Sequence, residues 1–229
     1  MSTATSGSEK TQDNENKSSF QPGARLQNWF LVLQVFVAGA ASLSLEMAAS
    51  RLLAPYFGTS LFVWANLIGL ILLYLTLGYY GGGLLADRYP RSQVFYIITG
   101  IAALLTALIP FIAQPILHWA LFAFVGNDLD VFYGSLISIL VLFSLPMILL
   151  GCVSPFAIRL CVEQVGKSGR TAGMLYAVST AGSILGTFLP VLVLMPYIGT
   201  SLTFLVTGAT LLLMSIIGLL GVRNVVGKA

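Results

Sequence analysis

Three polar side chains stand out against the apolar stretches around them: Glu46, Arg51 and Asn66. A carboxylate near a bilayer centre costs about 2.5–3.5 kcal/mol on insertion scales, so it normally faces protein or water and finds a partner. Such a group suits a cation, an amine or a proton. Arg51 follows about 7.5 Å along a helix from Glu46. That spacing is not i,i+4, so a bridge between them requires the helix to end or bend before Arg51. Asn66 enters the next apolar run from the same side, at comparable depth. The three are expected to line one polar pocket open to the outside. The plainer alternative makes Glu46 a structural pair member, or a side chain that reaches the outer headgroups.

A second group is basic. Gly83, Asp87, Arg88 and Arg91 close one apolar run and form a short turn into the next. This segment resembles the Gly-x-x-x-Asp-Arg-x-Gly-Arg-Arg loop of major facilitator transporters, with Pro90 where Gly is usual and Ser92 where a second base is usual. The resemblance implies that the acid and bases pair with neighbouring helix ends and hold one face closed. With Arg159 and Arg170, these residues form a candidate cytoplasmic gate or partner surface. The alternative is a basic turn with an acid near the start of a helix, where the dipole favours negative charge.

The elements that must position these residues are membrane spans. Of 229 residues, 57% are hydrophobic and 8% charged, with a mean hydropathy of +0.92; soluble domains average roughly 25% charged. This excludes a water-soluble enzyme, a disordered chain and a disulfide scaffold, and nothing points to nucleic acid. Residues 1–27 read as a disordered tail, 28–222 as the membrane domain and 223–229 as a short tail. Six spans are expected, approximately Asn28–Ser50, Leu61–Leu85, Gln93–Trp119, Val131–Leu160, Thr171–Met195 and Ser201–Val222, each long enough for a ~30 Å hydrocarbon core. Pro146, Pro155 and Pro190 are expected to kink or bend their helices.

Basic loops stay in the cytoplasm. With both termini inside, Lys10, Lys17, Arg25, Arg88, Arg91, Arg159, Lys167, Arg170, Arg223 and Lys228 are cytoplasmic and Arg51 alone is outside. The outer loop Ala120–Asp130 carries only the acids Asp128 and Asp130. The expected location is the cell membrane, multi-pass. Gly78/Gly82/Ala86, Gly182/Gly186 and Gly173/Ala177/Ala181 recur at four-residue spacing, which lets membrane helices approach closely. Cys152, Cys161 and His118 offer no ligand spacing, so no metal, cofactor, disulfide or catalytic residue is assigned.

Two longer stretches resemble the membrane domain of fused major-facilitator/spermidine-synthase proteins. One runs from Leu45 and Glu46 through Arg51, Pro55, Gly58, Ser60 and Trp64 to Gly78, Asp87 and Arg88. The other runs from Gly151, Ser154 and Pro155 to Gly169, Gly173, Tyr176, Ser179, Gly182 and Gly186, with Ser179 where that family has Asn. The resemblance implies an all-α, six-helix bundle like half of a major facilitator fold, built as two three-helix repeats of opposite orientation. In that family an aminopropyltransferase-like domain follows. Only seven residues follow Val222 here, so the chain is not expected to be an enzyme. Three functions stay open: a membrane subunit serving a separate aminopropyltransferase-like protein, a small amine or solute transporter working as a homodimer, and a structural subunit of a larger membrane complex.

Overall fold

The computed structural model describes residues 22–123, 130–162 and 168–226, and every described element is a helix. Lys10, Lys17, Lys167, Lys228 and Asp128 lie outside the described residues. Helix α1 spans Pro22–Phe57, α2 Leu61–Arg88, α3 Ser92–Ala123, α4 Asp130–Gly151, α5 Val153–Cys161, α6 Ser168–Leu189 and α7 Met195–Val226, with a π-helical turn at Pro190–Leu194 between the last two. Helices are what this sequence permits in lipid, where every backbone polar group must be satisfied internally. Hydroxyls comply by folding back on their own helices, as Thr106 does onto the Ala102 carbonyl and Ser138 onto that of Gly134.

Five helical stretches are long and apolar enough to cross a membrane: Trp29–Phe57, Leu61–Arg88, Ser92–Ala123, Val131–Cys161 and Ser168–Gly221. The expected count of six is corrected, because Thr171–Met195 and Ser201–Val222 correspond to the single apolar stretch Ser168–Gly221. That stretch turns back at Gly199, whose φ of 81° and ψ of 170° lie where essentially only glycine is found. The tail boundaries also move. Helix α1 is already formed at Pro22, a residue whose fixed φ and missing N–H suit a first helical position, and α7 continues through Val226.

Two prolines act as their chemistry requires. Pro155 has no N–H and its ring crowds the carbonyl four residues back, that of Gly151, which is where α4 stops before α5 begins. Pro190 opens the π turn, whose closing bond runs from the Met195 N–H to the Pro190 carbonyl. Pro146 is carried inside α4.

Close approaches fix the directions of packing. Gly182 and Gly186 of α6 lie against the backbones of Phe36 and Ala40 of α1, so these two helices run parallel. Gly78 and Gly82 of α2 lie against Gly151 and Cys152, with Asn66 bonded to the start of α4, so α2 and α4 also run parallel. Gly208 meets Ala103 and Ala107, while Thr99 pairs with Ser215 at 2.6 Å, so α3 and α7 are antiparallel. Helix α7 also meets α1, where Ser44 and Thr207 share a 2.8 Å hydrogen bond. The core fills with Phe95, Phe143, Phe156 and Phe204, the second and fourth stacked at 6.3 Å between ring centroids. Three buried side chains have no hydrogen-bond partner among the described residues: the Gln34 amide of α1, which is 0% exposed, and the Tyr74 and Tyr96 hydroxyls.

Candidate functional site

The close contact of α6 on α1 and of α2 on α4 leaves a cleft between the two pairs. It holds a cavity of about 100 Å³ into which Ser42 of α1, Tyr79 of α2, Ser154 of α5, and Ser179 and Ser183 of α6 contribute hydroxyls. Its other walls include Val35, Leu43, Leu75 and Val153. The Gly39 carbonyl sits among these groups and accepts from Ser42 at 2.9 Å and Ser183 at 3.1 Å. A side chain at Gly39 would collide with the Ser179 carbonyl, so glycine is what lets α1 and α6 close one side of the cavity.

With the Ser42 and Ser183 protons committed to the Gly39 carbonyl, their oxygens remain as acceptors toward the cavity. Tyr79 lines it and is also 49% exposed, so the site reaches the surface of the chain between α2 and α6. The α1 residues that line it are Val35, Ala38, Gly39, Ser42 and Leu43, a stripe on one face of a helix with 3.6 residues per turn. Glu46 is four residues beyond Ser42 and three beyond Leu43, so it continues this stripe about one turn further along. It is half-buried and makes no hydrogen bond or ion pair among the described residues. Ser50, four residues on again, lines a separate cavity together with Arg51. The face of α1 thus presents Ser42, Glu46 and Ser50 at successive turns.

The structure does not bring Glu46, Arg51 and Asn66 together. Asn66 is 6% exposed and faces α4, where its amide donates to the Phe132 carbonyl and to Ser135 Oγ, both at 2.9 Å. It clamps α2 to α4 and lines neither cavity. Depth along the chain alone suggests one pocket. Angular position separates the three, because a residue near the start of α2 can face either α1 or α4. The hydroxyls of Ser154, Ser179 and Ser183 were missed as site residues. Small hydroxyls are common in membrane helices, and only the packing of four helices makes these converge.

At the other end of α2, Asp87 Oδ1 accepts from Arg159 Nε of α5 at 2.9 Å, with both side chains exposed. Arg88 lies over the Tyr89 ring at 5.7 Å, and Arg91 and Arg170 are exposed. All five charged residues sit at the end of the bundle opposite Arg51. Gly78, Gly82, Gly182 and Gly186 are the contact points between helices, as described above. Gly173, Ala177 and Ala181 instead form an exposed stripe on α6. His118 is also exposed and packs edge-on against Tyr56 at 5.3 Å.

No family model, curated protein or solved structure matches the chain.

Proposed function

We propose that the chain is one half of a membrane pathway for a small cationic solute of the amine class, completed by a second copy. The observation that carries this reading is the α1 face, where the carboxylate of Glu46 continues the stripe that lines the hydroxyl cavity. Hydroxyl oxygens accept from an ammonium group, and a carboxylate within the membrane supplies the opposite charge that such a ligand would need. The cleft is open along α2 and α6, and Gly173, Ala177 and Ala181 form an exposed stripe on a different face of α6. Small residues of this kind let a neighbouring helix approach closely.

The packing supports a six-crossing arrangement resembling half of a major facilitator fold. Taking α1–α3 as one trio and α4, α6 and α7 as the other, the parallel pair α1/α6 exchanges with α4/α2, the contact α1/α7 exchanges with α4/α3, and α3/α7 exchanges with itself. That is the pattern of two repeats of opposite orientation. The charges at the Asp87 end favour a cytoplasmic assignment for that end.

The test is counterflow of labelled spermidine into liposomes holding the purified protein. Glu46→Gln is expected to abolish flux at equal protein level; normal flux in that variant removes Glu46 from the site.

A second reading is favoured by the basic end. Arg88, Arg91 and Arg170 present positive charge around the Asp87–Arg159 pair, a surface suited to a soluble partner such as an aminopropyltransferase-like protein. It predicts stoichiometric recovery of that enzyme with the wild-type chain in mild detergent, and its loss with Arg88→Glu/Arg91→Glu. Recovery of the chain alone or as a homodimer would remove this second reading.

A further inference from the structure

At the end of the bundle opposite the Asp87–Arg159 pair, the turn between α1 and α2 encloses part of a second cavity of about 200 Å³, with Ser50, Arg51, Thr59 and Trp64 among its lining residues. Arg51 is the one lysine or arginine at this end among the described residues, and it makes no ion pair or hydrogen bond there. Arg88, Arg91, Arg159 and Arg170 all lie at the other end. A lone arginine at the end that the distribution of basic residues marks as poor in positive charge is against the general trend for membrane proteins. Arg51 is exposed, so its guanidinium is open to an anion from outside the described chain.

We infer that this cavity binds a phosphate-class anion. The guanidinium offers a planar fork of donors that matches two oxygens of a phosphate, and being weakly hydrated it gives up water more readily than an ammonium. Thr59 adds a hydroxyl donor on the same lining, while the Ser50 hydroxyl donates to the Met47 carbonyl at 2.8 Å. Trp64 supplies an aromatic wall, and its indole N–H is a donor only. The space admits several water-sized groups, each taking roughly 30 Å³ in the liquid, which suits a tetrahedral oxyanion. Gly58, at a φ of 73° with open space around it, shapes the turn that brings Thr59 and Trp64 back over Ser50 and Arg51. The position, at the end of two apolar spans, is where lipid phosphates lie. The phosphate can therefore come from a headgroup or from solution.

The cavity contains one of the three tryptophans of the chain. Trp29 and Trp119 are exposed, so Trp29→Phe/Trp119→Phe leaves Trp64 as the sole indole reporter. This protein, in neutral-detergent micelles, is titrated separately with inorganic phosphate, dihexanoyl phosphatidylglycerol and dihexanoylglycerol, reading Trp64 emission. A saturable change is expected with at least one phosphate-bearing probe and none with dihexanoylglycerol. Inorganic phosphate acting by itself identifies a free anion as ligand, and phosphatidylglycerol acting without it identifies a headgroup. Arg51→Gln is expected to weaken the effect by about tenfold or more, the loss of one charge-assisted hydrogen bond, with Arg51→Lys intermediate and helical circular dichroism unchanged. The inference is overturned by no saturable response to either phosphate probe, by an equal response to dihexanoylglycerol, or by an undiminished response in Arg51→Gln.

Discussion

Adding one methyl group to Gly186 and one to Gly69 is the same chemical change inside two membrane helices, with opposite expected signs. At Gly186 the new Cβ would strike the Ala40 carbonyl oxygen and lie 2.6 Å from its carbon and 2.7 Å from the Ala40 Cα. Carbon atoms prefer about 3.5–4.0 Å, so α6 must retreat from α1 by roughly 1 Å. These atoms are all backbone and none can rotate away. Overpacking of this kind costs about 1–3 kcal/mol, and the upper end applies. Alanine returns about 1 kcal/mol in helix propensity, leaving a net loss of about 2 kcal/mol. At Gly69 a Cβ meets nothing within 4 Å, so only the propensity gain of about 0.5–1 kcal/mol remains. With about 2–4 °C per kcal/mol for a chain of this size, Gly186→Ala should lower Tm by about 4–8 °C and Gly69→Ala should raise it by about 1–4 °C. Thermal unfolding in one fixed detergent, followed by near-ultraviolet circular dichroism, reads both. Shifts of the same sign, or a rise for Gly186→Ala, would mean that the α1/α6 approach does not hold the cleft closed on that side.

Two further perturbations test other parts of the fold. Gly199→Ala introduces no clash, since nothing lies within 4 Å of the added atom, yet it should cost about 1–3 kcal/mol because the φ/ψ combination itself excludes a side chain; an unchanged Tm would contradict the reversal there. A double-mutant cycle on Asp87→Asn and Arg159→Gln should return a coupling below about 1 kcal/mol, as for exposed pairs generally, and the coupling should shrink on adding salt. A coupling of several kcal/mol would mean that the pair is buried in the working protein.

Much of the architecture was legible in the sequence, and the reasons are local. Long apolar runs must be helices in lipid, and Pro155 and Pro190 disrupt hydrogen bonding at positions their missing N–H dictates. The four-residue spacing of Gly78/Gly82 and of Gly182/Gly186 announces close approach without naming the partner. What the pattern concealed was angular position. Asn66 is separated from Arg51 because it faces α4, and Ser179 and Ser183 join Ser42 only because α6 runs parallel to α1 from far along the chain. The count of spans failed for a different reason. A glycine with positive φ reverses the last stretch without the loop that usually separates two helices.

The parallel pairing of α1 with α6 also sets a schedule for biogenesis. The Gly39 carbonyl and the Ser183 hydroxyl are 144 residues apart, and synthesis proceeds at about 5–20 residues per second. Helix α1 therefore waits about 7–29 s after its own emergence before its principal neighbour exists. During that interval Gln34, Ser42 and Glu46 sit on a helix with only its hairpin partner and later arrivals for company. Until α6 is made, the Ser42 side of α1 lacks the neighbour that covers it in the finished bundle.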